Sequence, residues 1–313
     1  MPSNDKPTVL IAGTGAIGGY YGGKLAQAGA RISALCRSDY DTVKSSGIQV
    51  TSPGGDFHFR PDPVVRNASE LGFFPDYILV ALKVLPAVDA ASIIRGAVGP
   101  ETSILLIQNG IESEAAVAKA FPENEIISAL GFICVSREAP GVIRHQDFGK
   151  LGFGHYPSGN SDKVALLADL FESVGVTCMV TDDVVTARWR KLVWNAPFNP
   201  ISVLAGGADT KTMLDDPDSR DLVRAVMEEV CAVAASTGHP LPDSVVDENI
   251  DHTLAMTPYK TSMLLDFEAG RPLEVEAILG KAVRVARENG VPAPRMETLH
   301  ALLKMIDEKN RRG

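Results

Sequence analysis

Hydrophobic and polar positions along the chain change their period once, near residue 182. Before that point short apolar runs alternate with helical patterns. The runs Thr8–Ala12, Arg31–Cys36, Tyr77–Leu82 and Thr102–Ile107 are too short and too continuously apolar for amphipathic helices, and predict strands buried on both faces of a parallel sheet. Glu125–Cys134, Gly141–Arg144, Lys150–Phe153 and Val176–Val180 read as further short strands, with one helix over Asp162–Ser173. Weak alternation broken by Pro and Gly between Gly47 and Asn67 predicts hairpin strands without chemistry. After Asp182-Asp183 the period is helical almost throughout, with amphipathic helices over Asp221–Ala235, Leu273–Asn289 and Met296–Lys309. At 313 residues the chain is long for one core, so the change of period is read as a domain boundary: an α/β domain over 1–182 and an all-helical domain over 183–313.

The first apolar run stops at Gly13-Thr14-Gly15-Ala16-Ile17-Gly18, and a helical pattern follows. Strand, glycine turn, helix and second strand form the context in which a GxGxxG sequence binds a dinucleotide. The turn must be tight, the backbone must approach a pyrophosphate, and the helix N-terminus offers unpaired N–H groups to the anion. The first domain is therefore expected to be Rossmann-type, with Gly13, Thr14, Gly15, Ala16, Ile17 and Gly18 at the cofactor. A near match to a phosphate-binding P-loop at Gly18–Leu25 fails because Leu25 stands where magnesium coordination needs Ser or Thr. Arg37 follows the second strand and could pair with a ribose 2′-phosphate, which favours NADP(H) over NAD(H); Asp39, two residues on, argues the other way, and the bland alternative for Arg37 is a solvated strand end.

Lys83 and Asn109 end two predicted strands, the edge at which open α/β sheets bind ligands. Lys83 could hold a ribose or phosphate and Asn109 the nicotinamide or substrate; a solvated lysine and an Asn-Gly turn are the competing readings. The stretch from Trp189 to Pro200 carries Lys191, Asn195 and Asn199 four residues apart, within about 80° of one another on a helix face and flanked by Trp189, Leu192, Val193 and Phe198. Pro197 and Pro200 should kink or end that helix, so Asn199 is expected to reach the site from a turn, leaving Lys191 and Asn195 as the helical pair. Glu274, two residues after Pro272, reads equally well as a first-turn acid complementing a helix dipole.

Composition removes several classes. A formal charge of −9 argues against a general nucleic-acid binder, and no apolar tract is long enough to span a bilayer. Cys36, Cys134, Cys178 and Cys231 form no CxxC pair and residues 1–6 carry no signal-peptide pattern, which points to reduced thiols in the cytoplasm. The six histidines have no metal-ligand spacing and no GxSxG elbow is present, so no metal site and no serine hydrolase is expected. The amphipathic C-terminal helices serve an internal core or a homodimer interface equally well.

Taken together, the glycine loop, Lys83, Gln108-Asn109-Gly110, Lys191-x-x-x-Asn195-x-x-x-Asn199-Pro200, and Ser262-Met263 with Glu274 resemble the ketopantoate reductase family over nearly the whole chain. The resemblance implies a Rossmann-type domain, a helical domain, a cleft between them, and NADPH-dependent reduction of ketopantoate to pantoate for pantothenate and coenzyme A synthesis. It implies Lys191 as catalytic lysine and general acid, Asn195 and Asn199 as substrate amides, Ser262 and Glu274 as further substrate contacts, Lys83 and Asn109 near the nicotinamide, and Arg37 at the 2′-phosphate. Asp209 departs from the family pattern, since some members carry an asparagine there and a carboxylate facing the site would repel a 2-oxo acid. Val84-Leu85-Pro86 departs too, where many members have an aromatic or polar residue. The alternatives are a reductase of another 2-oxo acid and a silent NADP(H)-binding regulator.

Overall fold

The computed structural model describes residues 6–312; residues 1–5, part of the stretch read for a signal peptide, lie outside them. The described residues divide into two compact units, one of residues 6–83, 88–108 and 113–184, the other of 84–87, 109–112 and 185–312.

The first unit is built on one mixed sheet. Its elements in order are β1 (Thr8–Ala12), α1 (Ala16–Gln27), β2 (Arg31–Leu35), α2 (Tyr40–Ser46), β3 (Ile48–Thr51), β4 (Phe57–Phe59), β5 (Val64–Val65), β6 (Tyr77–Val80), α3 (Ala90–Ile94), β7 (Ser103–Ile107), α4 (Ser113–Ala120), β8 (Ile126–Ala139), β9 (Val142–His155), α5 (Asp162–Glu172) and β10 (Cys178–Val180). The strands lie in the order β4-β3-β9-β8-β7-β6-β1-β2-β5, with β10 also on β9. From β8 to β5 every neighbour is parallel, and the central residues Leu10, Ile78, Leu79, Ile104 and Leu105 are wholly buried, as strands covered on both faces require. The parallel order turns outward in both directions from β1, the Rossmann arrangement.

Two strand expectations change. The expected strands Gly141–Arg144 and Lys150–Phe153 are, from Val142 onward, one 14-residue strand, β9, antiparallel to β8 across several bulges. Each bulge inserts a residue and resets the alternation, which is why the pattern read as two pieces. The region Gly47–Asn67 does contain the β3–β4 hairpin, but β5 crosses to the far edge and pairs with β2.

The second unit is helical: α6 (Val184–Leu204), α7 (Thr210–Asp215), α8 (Pro217–Ser236), α9 (Val245–Ala255), α10 (Ser262–Glu268), a π-helical turn over Glu276–Gly280, α11 (Lys281–Glu288) and α12 (Pro294–Arg312). The helix expected from Leu273 is thus a π turn followed by α11. α6 runs through the core of this unit, with Trp189, Leu192, Val193, Ala196, Phe198 and Ile201 all buried. It passes Pro197 and Pro200 without ending, against expectation. Each proline removes one backbone hydrogen bond at a cost of ~3 kcal/mol, whereas each buried Leu, Val or Phe side chain contributes roughly 1.5–3 kcal/mol, so packing on all sides outweighs the two breaks. No described helix is long and apolar enough to cross a membrane.

Candidate active site

The glycine loop lies between β1 and α1. Gly13 sits at φ +99°, and a Cβ on Gly18 would stand 2.0 Å from the Gly13 carbonyl oxygen, so the turn is closed by glycine on both sides. Gly15 occupies the N-cap of α1 without a side-chain cap, and a Cβ built on it meets nothing within 4 Å. Open space over an uncapped helix N-terminus fits a pyrophosphate, with the first-turn backbone of Ala16 and Ile17 beneath it. Thr14 is buried with its hydroxyl against the Cys36 thiol at 3.3 Å, so its side chain is spent inside.

Arg37 is exposed two residues past the end of β2, after the buried Cys36. Asp39, which argued for a 2′-hydroxyl partner, is buried and held by Arg137 at 2.6 Å to both carboxylate oxygens. Its acceptors are engaged within the unit. Lys83 is half-buried in the loop after β6, and Gln108 after β7 donates to the Leu82 carbonyl at 2.6 Å.

In the second unit α6 carries Lys191, Asn195 and Asn199 together, the unbroken helix restoring the three-residue stripe that the prolines argued against. Lys191 Nζ donates to Asn109 Oδ1 at 3.3 Å; Asn109 Nδ2 donates to Glu274 Oε2 at 3.1 Å; the Val84 backbone N–H donates to Glu274 Oε1 at 2.8 Å. Glu274 is therefore tied to a lysine-bound amide rather than to its own helix terminus. Burial pushes the Lys191 ammonium down to about 8, the nearby Arg188 charge pushes the same way, and Glu274 opposes both.

Asn195 and Asn199 are buried. Asn199 Nδ2 donates to the Asn195 carbonyl at 3.1 Å, and its Oδ1 accepts from Met263 N at 3.3 Å and Ser262 Oγ at 3.5 Å, joining α6 to the start of α10. Asn109, Asn199, Ser262, Asp266 and Glu274 line one small polar pocket closed by Met263 and Ile278. Asp209 is not among the lining residues: it caps α7 by accepting from Thr212 N at 2.8 Å, and Thr212 holds its carboxyl below the usual range.

A lysine whose ammonium is pushed down to about 8, held by an amide that a carboxylate engages in turn beside a polar pocket, can protonate an oxygen on which charge develops. The ketopantoate reductase PanE/ApbA family matches residues 9–158, and its C-terminal counterpart matches residues 183–307. The chain belongs to the ketopantoate reductase family. A 2-dehydropantoate 2-reductase of a Nostoc species is 37% identical over 310 residues, covering 97% of this chain and 96% of its own. The crystal structure of 2-dehydropantoate 2-reductase from Methylococcus capsulatus is 50% identical, with a TM-score of 0.91 over 97% of each chain. A D-mandelate dehydrogenase complex with NADH and anilino(oxo)acetate shares the fold at 22% identity, with a TM-score of 0.87 over 97% of this chain and 99% of its own.

Two features of this ketopantoate reductase family member escape a reading of the motifs alone. Arg188 is buried and donates to the Gly110 carbonyl at 2.9 Å. Its position three residues before Lys191 puts it on the same helix face, and that spacing was the available signal. Gly110 sits at φ +86°, and a Cβ there would lie 2.1 Å from the Ala277 carbonyl oxygen, a contact with no local signature.

Proposed function

We propose that this protein reduces 2-dehydropantoate to pantoate with NADPH, supplying pantothenate and coenzyme A synthesis. When bound, the nicotinamide supplies the hydride. Lys191 gives its proton to the carbonyl oxygen as negative charge develops there, and Asn109 and Glu274 hold the ammonium in place. Gly13 to Gly18 take the pyrophosphate and Arg37 the 2′-phosphate, with Lys83 at the same cofactor. Ser262, Asn195 and Asn199 form the polar wall for the substrate, with Asn199 acting through the Ser262 hydroxyl it engages. The observation that carries this reading is the Lys191–Asn109–Glu274 chain, with a lysine lowered to about 8.

The reading is supported by the family membership and by the polar character of the pocket, which suits a hydroxylated 2-oxo acid better than an aryl one. The test is oxidation of NADPH with 2-dehydropantoate, compared with NADH and with unbranched and aryl 2-oxo acids. Preference for NADPH and 2-dehydropantoate is expected. Faster turnover of another 2-oxo acid would transfer the assignment to that substrate, and cofactor binding without any turnover would make the protein a sensor.

A further inference from the structure

The turn Asn109–Ile111, which presents Asn109 to Lys191, is held from three directions within the helical unit. Gly110 packs so closely on the Ala277 carbonyl of the π turn that only glycine fits. Lys281 Nζ, from α11, donates to the Ile111 carbonyl at 3.0 Å. Arg188 Nη1, from α6, donates to the Gly110 carbonyl between them at 2.9 Å. Arg188 is only 3% exposed, and removing a guanidinium from water carries a large desolvation cost before its hydrogen bonds are counted. Holding a turn alone would not require a permanent charge at this depth, since a neutral amide can donate to a carbonyl.

The position of that charge accounts for it. Arg188 and Lys191 are three residues apart on α6, a spacing that brings side chains to adjacent sites on one face. The charged groups acting on Lys191 are Arg188 from its own helix and Glu274 from the segment before the π turn. Asp266 from α10 lines the adjoining pocket, and Lys281 is committed to the Ile111 carbonyl. Burial does most to loosen the Lys191 proton, the Arg188 charge adds to it, and Glu274 opposes both.

We propose that Arg188 is a positioning residue of the reductase: its guanidinium fixes the Asn109–Ile111 turn against the π turn and sets a permanent positive charge on the helix face that carries Lys191. The inference rests on the reading of Lys191 as the proton donor. Two functions of one side chain are separable by substitution. Arg188→Gln keeps a donor for the Gly110 carbonyl and deletes the charge. Arg188→Lys keeps the charge and loses the planar fork.

The experiment is the pH profile of kcat at saturating NADPH and 2-oxo acid for the wild type, Arg188→Gln, Arg188→Lys and Lys191→Ala, with NADPH affinity read separately by nicotinamide fluorescence. In Arg188→Gln the alkaline limb should move to higher pH by at least ~0.5 unit, because a like charge has been removed. In Arg188→Lys the limb should stay while kcat falls by at least ~10-fold from the displaced turn. NADPH affinity should stay within ~2-fold in both, separating an effect on the transition state from one on cofactor binding. A limb unmoved in Arg188→Gln, or wild-type kcat in Arg188→Lys, overturns the proposal. Should Arg188→Gln fail to fold, Arg188→Lys still decides the positioning role. Wild-type kcat in Lys191→Ala would instead overturn the underlying proton-donor reading; loss in Lys191→Ala with indifferent Arg188 variants would overturn only this inference.

Discussion

Lys191 Nζ donates to Asn109 Oδ1 at 3.3 Å, joining the central helix of the second unit to the Asn-Gly turn that follows β7. The amide of Asn109 is used at both ends, accepting from the lysine and donating to Glu274 at 3.1 Å. The orientation of one side chain thus fixes the distance between a cation and a carboxylate.

The first consequence is a pH dependence. In its proposed role Lys191 gives a proton only as an ammonium, and an ammonium pushed down to about 8 is lost as pH rises through that range. Reduction should therefore fall above about pH 8, and oxidation of the hydroxy acid, which needs the neutral amine, should rise over the same interval. A kcat profile in both directions checks this; a flat profile between pH 7 and 9 contradicts it.

The same depression has a stability side. A lysine whose folded value is lowered binds its proton less readily in the native state than in the unfolded chain. Its unfavourable contribution is fully present below about 8 and is relieved as pH rises toward the ordinary lysine value. Lys191→Met should accordingly melt no lower than wild type at pH 7 while being inactive, and a scan at that pH measures it.

Glu274→Gln should cost at least ~10²-fold in kcat, the scale seen when groups around a proton donor are displaced. Glutamine can keep the bond from Val84 N, but its own NH2 would then face the Asn109 NH2, and Asn109 must turn and release Lys191. Loss of the carboxylate also lowers the lysine further, so the alkaline limb should move to lower pH, opposite to the shift expected from Arg188→Gln.

Two glycines in one loop should behave differently. A methyl on Gly18 collides with the Gly13 carbonyl at 2.0 Å, so Gly18→Ala should destabilise the first unit. A methyl on Gly15 meets no protein atom within 4 Å, so Gly15→Ala should keep the wild-type melting temperature and weaken NADPH by at least ~10-fold. Calorimetry and cofactor titration on the pair separate the two effects.

Arg37→Ala should weaken NADPH by about 10-fold or more and leave NADH little changed, since an arginine–phosphate pair is a charge-assisted bond and Asp39 stays bound to Arg137. Equal loss for both cofactors would place Arg37 away from the 2′-phosphate.

Much of this arrangement was legible because its signals are local. The β1–α1 glycine turn, the buried parallel strands and the helix period after residue 182 each follow from a few adjacent residues. The continuity of α6 was not: Pro197 and Pro200 argue for a break, and only the burial of Phe198, Ile201 and their neighbours reverses it. The start of α8 four residues before Asp221 could have been read from Asp216-Pro217, an N-cap followed by proline in the first turn. The Gly110–Ala277 contact joins positions 167 residues apart, and no period or propensity encodes it. Asp209 was ambiguous for the opposite reason, since a carboxylate three residues before Thr212 serves a cap or a site equally well until the fold chooses.

The most direct test of the central claim is Lys191→Ala assayed by NADPH oxidation with 2-dehydropantoate at saturating concentrations of both. kcat should fall by at least ~10²-fold with NADPH affinity little changed, because the proposed role of the lysine is at the developing oxyanion and not at the cofactor. A kcat equal to that of the wild type would remove Lys191 from the chemistry and the account with it.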